Sequence, residues 1–136
     1  MVIDYRADHS FRIPRPDLSI KLGTPNACNR CHVDKSVQWS DEYITKWYGP
    51  GRRAHYGSII DDGRKQFPKA QKDLIKLAAD LLYPVILRAT ALSLLATYPG
   101  EETGRAYELA LMDEEALIRR TAVDYFRVPD PKRKTA

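Results

Sequence analysis

The residues of this 136-residue chain whose types and spacing could do chemistry stand within five positions: Cys28-Asn29-Arg30-Cys31-His32. The chain has two cysteines in all, and one of its three histidines follows the second directly. From composition, the odds of such a placement are on the order of a few in ten thousand, so coincidence explains it poorly. On a helix the two thiols share one face about a turn apart. Two thiols so placed can form thioethers to the two vinyl groups on one edge of a porphyrin, and the adjacent imidazole is then held under the iron as its proximal ligand. Cys-x-x-Cys-His is the attachment signature of a c-type haem.

Three other chemistries compete. Cys28, Cys31 and His32 supply three zinc ligands, with His9 or His55 as a fourth, but structural zinc sites pair one Cys-x-x-Cys with a second, separate pair, and a histidine directly behind the second cysteine is an awkward third ligand. A thioredoxin-like dithiol needs a βαβ setting, which this sequence does not offer. A structural disulfide across so small a loop is the weakest of the three.

The elements that must position these residues are helical. Residues 1 to 24 read as an extended arm in which no regular helix fits, because Pro14, Pro16 and Pro25 each restrain the residue before it. Thr24 and Pro25 read as an N-cap and first helical position, opening a short helix that carries the motif. In 36–48, Trp39, Tyr43 and Trp47 recur at i, i+4 and i+8, and Gly49-Pro50-Gly51 stops the helix. A helix over about 53–65 ends near Gly63, and Phe67-Pro68 opens the next.

The second half contains an internal repeat. "LYPVILRATALSLLATY" superposes on "MDEEALIRRTAVDYFRV", with Arg88 on Arg119, Thr90 on Thr121, Ala91 on Ala122, Leu92 on Val123 and Leu95 on Phe126, each pair 31 residues apart. A helical segment precedes each copy, at about 69–82 and 102–112, so the unit is a helix pair. The pattern resembles HEAT-like repeats. Two copies are fewer than a free-standing solenoid needs, and the N-terminal part is the available capping partner. The expected fold is all-α: an extended N-terminal arm plus haem-binding helices, followed by a short HEAT-like α-solenoid. The expected divisions are a haem c-binding segment at 1–66, two helical repeats at 67–128 and a basic tail at 129–136.

Composition narrows the partners. The net charge of +4 comes partly from the tail "PKRKTA" and shows no basic stripe interleaved with aromatics, so no nucleic-acid partner is expected. No apolar run approaches the roughly 18 to 20 residues a membrane span needs, so the chain is not expected to span a membrane itself. The first ten residues have no signal-peptide pattern.

The segments "DHSFRIPRPDLS", "GTPNACNRCHVDKS", "KWYGPGRRAHYG" and "LRATALSLLA" together resemble the C-terminal region of multihaem c-type cytochromes that carry helical repeats after their last haem motif. The resemblance covers nearly the whole chain and is most specific in the first two segments. It implies covalently bound haem c, electron transfer, other cytochrome or redox subunits as partners, and a periplasmic or extracellular location. One attachment motif and no export signal depart from that pattern, so a leader or a longer precursor is expected in the native gene.

An iron site of this kind takes a sixth ligand unless it is catalytic. His9 is the first candidate, held in the arm beside Phe11 and the rigid "IPRP", and His55 is the second. The resemblance points the same way, since such cytochromes take a distal histidine from an "HSF" segment. Met112 reads as a core methionine. Phe11, Trp39, Tyr43 and Trp47 suit the walls of an apolar plate, although an aromatic stripe at helical spacing equally suits plain core, and Arg12, Arg15, Arg30 and Lys35 suit its propionates. The expected function is electron transfer rather than catalysis. The alternatives are an open-iron site in a multihaem reductase, or an interaction module with a structural haem or zinc.

Overall fold

Proline and glycine bracket the first helix. The computed structural model describes residues 14–126, and among them it carries eight helices and no strand, the all-α class expected. Helix α1, Pro16–Leu22, lies where an extended arm was expected. Pro16 occupies the first helical position, where its missing N–H costs nothing and its fixed φ suits the helix. Asp17 complements the N-terminal dipole, and Gly23 ends the helix at φ 70°, its N–H donating to the Ser19 carbonyl. The prolines that argued against a helix therefore mark its start. Phe11, Arg12, His9 and the tail at 129–136 lie outside the described residues.

The motif helix α2, Cys28–Cys31, is a single turn that starts later than Thr24-Pro25 predicted. The side chain of Asn26, not Thr24, turns the chain into it: its Oδ1 accepts the Asn29 N–H at 3.2 Å. Helix α3, Val37–Tyr48, matches the expected span; Ser36 caps it by accepting the Trp39 N–H at 3.1 Å, and Gly49 stops it at φ 83°.

The remaining helices are α4, Tyr56–Arg64; α5, Ala70–Ala79; α6, Val85–Leu95; α7, Glu101–Leu111; and α8, Ala116–Tyr125. The chain groups into two compact units, one through Arg53 and one from Ala54, with α4 in the second. The reason is that α4 packs on α5 and α6. Helix α4 ends at Arg64, near Gly63 as expected; Gly63 is buried in its last turn, and a Cβ there would stand 3.0 Å from the Leu74 side chain.

The second unit holds a continuous apolar core around Leu74, Leu77, Ala91, Leu92, Leu95, Ile118 and Ala122. Its two helix pairs repeat their hydrogen bonds as well as their sequence. Thr90 and Thr121 each donate to the carbonyl four residues back, Ile86 and Leu117, at 2.8 Å. The turns before α6 and α8 are closed by Asp80 and Asp113, which accept the N–H groups of Leu82 and Glu115. Met112 lies in the second of these turns, 85% exposed, and is not the core methionine its sequence context suggested.

The two repeat arginines differ. Arg88 is buried, donates to the Ala78 carbonyl at 2.9 Å and pairs with the Asp113 carboxylate. Arg119 is exposed and donates to the carbonyls of Asp113 and Glu114 in its own turn.

Candidate functional site: a thiol and imidazole cleft

Helix α3 presents two adjoining stripes of different character. Ser40 and Ile44, four residues apart, are buried at the floor of a cleft. Trp39, Tyr43 and Trp47 form the adjoining stripe, and Trp47 stays 64% exposed. The aromatic stripe is therefore not the core of its unit. Together with Ser40 and Ile44 it walls this open cleft of about 320 Å³, whose other wall is Ala27, Cys28, Cys31 and His32. The structure thus brings together the two cysteines, the motif histidine and the α3 aromatics.

Ring contacts run without a break along the cleft. The imidazole of His32 lies 5.0 Å from the Trp39 ring, Trp39 is 4.7 Å from Tyr43, and Tyr43 is 5.6 Å from Trp47, centroid to centroid. The tilted and edge-on orientations are those the ring quadrupoles favour. His32 caps the end of α2, its backbone N–H donating to the Cys28 carbonyl at 2.9 Å. Both cysteines are free thiols, Cys28 half-buried and Cys31 exposed.

Polar side chains hold this unit in shape. Arg52 reaches back to Asp17 on α1 at 2.9 Å, to Asp41 on α3 at 2.9 Å and to the Thr45 hydroxyl at 2.7 Å. Arg15 binds both oxygens of Asp17 and the Arg53 carbonyl, so its guanidinium is occupied away from the propionate role the sequence suggested. The Arg15 and Arg52 guanidiniums beside Asp17 hold its carboxyl down at about 2.

His55 lies in the other unit, just before α4. Its Nδ1 accepts the Gly57 N–H at 3.0 Å and its ring stacks on Tyr56 at 4.0 Å. A neutral imidazole that ligates iron through Nε2 carries its proton on Nδ1, where it could no longer accept that N–H. Ligation by His55 and capping of α4 therefore compete.

Sequence reasoning missed Asn26, Asn29 and Ser40. Asn29 Oδ1 accepts from the Ser40 hydroxyl at 3.2 Å and from Asn26 Nδ2 at 2.8 Å, joining the motif turn to the buried face of α3. The available signals were two asparagines three apart around the first cysteine, a spacing that favours side-chain turns, and a serine directly beside the aromatic stripe.

Two thiols and an imidazole on one apolar cleft can hold a flat apolar group covalently and offer it a nitrogen ligand. Among the described residues no group of three or more His, Cys, Asp or Glu side chains is gathered as a metal cage. No helix among the described residues is long and apolar enough to cross a membrane. Compared with protein-family models, curated proteins and solved structures, the chain finds no match.

Proposed function

We propose that this chain carries one c-type haem and works in electron transfer, as part of a larger multihaem cytochrome or redox complex outside the cytoplasm. The observation that carries the proposal is the cleft. The thiols of Cys28 and Cys31 and the imidazole of His32 line the same apolar surface as Trp39, Tyr43 and Trp47, of which Trp39 is half-buried and Tyr43 and Trp47 are exposed. Exposing a contiguous aromatic wall is unfavourable unless something apolar covers it. The donor set names what that is: two thiols for thioether bonds and one imidazole for iron.

In this reading Cys28 and Cys31 anchor the porphyrin edge, His32 is the proximal ligand, and Trp39, Tyr43 and Trp47 keep water from one face. When bound, the haem supplies a one-electron couple within a low-dielectric wall. His9 is the distal ligand, with His55 as the alternative at the cost of its helix cap. Phe11 and Arg12 belong to the haem surroundings through the resemblance of their segment. The helix pairs α5–α6 and α7–α8 act as a HEAT-like platform for neighbouring redox subunits; the threonine hydrogen bonds, repeated at the same spacing as the sequence, support that reading.

The test is an intact mass and an absorption spectrum, oxidised and dithionite-reduced, on protein produced with haem-attachment machinery. A mass increase of one haem and sharp reduced bands that ignore carbon monoxide are expected. Bands that shift with carbon monoxide would turn the reading towards an open-iron reductase site. Stoichiometric zinc with no bands would overturn it.

A further inference from the structure

Asn29 stands between the two cysteines, and its side chain uses every hydrogen-bonding position it has. Nδ2 points at the carbonyls of Lys35, at 2.7 Å, and His32, at 3.4 Å. Oδ1 accepts from Asn26 Nδ2 and from the Ser40 hydroxyl. Two donors and two acceptor positions are thereby satisfied. The Ser40 end is anchored, since that residue is 1% exposed, on α3. One residue away on the same helix is Trp39, whose ring carries the His32 imidazole.

We propose that Asn29 is the positioning residue of the Cys28–His32 turn, holding the His32 backbone against α3 so that the imidazole keeps its place on Trp39. Its effect on haem attachment rests on the function proposed above; its effect on the imidazole does not. The amide is suited to this because it donates to two carbonyls and accepts from a hydroxyl at once. An aspartate of the same shape keeps the acceptor for Ser40 but turns a carboxylate towards the His32 and Lys35 carbonyls, with nothing to donate. Outer contacts of this sort orient ligands and tune the sites they serve.

The test uses the full chain carrying Asn29→Asp, with Ser40→Ala as a second variant that removes the hydroxyl linking the turn to α3. In the thiol-reduced, haem-free chain, the Trp39 ring displaces the NMR signals of the His32 ring protons. That displacement is expected to be lost in Asn29→Asp and reduced in Ser40→Ala, with far-UV circular dichroism unchanged. With attachment machinery present, the haem-bearing fraction of Asn29→Asp is expected to fall about threefold or more. If Asn29→Asp does not fold, Ser40→Ala decides the matter. Full displacement in the folded variants overturns the role of Asn29, whatever their haem content. A wild-type chain that takes no haem overturns the haem reading alone, because the ring displacement still tests the turn.

Discussion

The two units of this chain are stabilised in opposite ways. In the unit from Ala54 onward, apolar side chains from five helices close on one another, and the largest buried side chains are apolar. Among the described residues of the unit through Arg53, the buried side chains are Pro16, Ser19, Ser40 and Ile44, while Tyr43, Trp47 and Tyr48 stay exposed. Its coherence comes from Arg15, Arg52, Asp17 and Asn29. A unit that leaves its largest apolar groups outside is built to receive something, and until it does its local stability lies at the low end of the molecule.

The comparison can be broken most forcefully at Arg88. Replacing it with alanine strands the Asp113 carboxylate and the Ala78 carbonyl inside the repeat unit, and a loss of about 3–5 kcal/mol is expected. Both tryptophans of the chain, Trp39 and Trp47, lie in the other unit. Urea unfolding followed by circular dichroism should therefore shift strongly while tryptophan fluorescence shifts much less. Coincident shifts would show that the units unfold together.

Alkali should also act on the repeat unit. Burial pushes the Tyr107 hydroxyl, which donates to the Leu92 carbonyl at 2.9 Å, up to about 12. The folded state keeps that proton while the unfolded chain loses it above about 10, so stability falls between about 10 and 12, by on the order of 2 kcal/mol. Tyr107→Phe should remove that part of the alkaline loss in pH-dependent melting.

Acid should act on the cleft unit. Asp17 has its carboxyl held at about 2 instead of 3.8 by Arg15 and Arg52. This contributes stability above about 4 that is lost as pH falls towards 2. Solvent screening at a half-buried pair keeps the effect to about 1–2 kcal/mol. Asp17→Asn should flatten the acid transition seen by tryptophan fluorescence. Burial also pushes the Asp113 carboxyl up, but the Glu115 N–H and the Arg88 guanidinium outweigh it and hold it below its ordinary value. The repeat unit therefore weakens in acid too, and circular dichroism separates that contribution.

The smallest effect sharpens the contrast. Trp47→Ala should change the stability of the haem-free chain by no more than about 0.5 kcal/mol, because its ring is mostly in water. A loss several times larger would make Trp47 a core residue and remove the argument from the cleft.

Legibility followed the range of the interactions. Helix α3 was readable because its signals are local: Ser36 as cap, aromatics at helical spacing, Gly49 as stop. The 31-residue repeat was readable for the same reason. Helix α1 was misread because Pro16 restrains its neighbour and also starts helices, and only the following Asp17 and Gly23 favour the second role. The choice between core and cleft for Trp39, Tyr43 and Trp47 was open, since helical spacing defines a face without saying what the face meets.

By itself the sequence determined the all-helical class, the repeat register, and the clustering of two thiols and an imidazole within one turn, because each follows from residues near one another along the chain. Only the tertiary structure decided that the aromatics of α3 share a cleft with that turn, that Asn29 ties it to Ser40, and that Arg88 is buried while Arg119 is not. Those outcomes depend on the element packed alongside. Arg88 meets Asp113 from the next repeat, whereas Arg119, with the same local pattern, turns back on the carbonyls of Asp113 and Glu114.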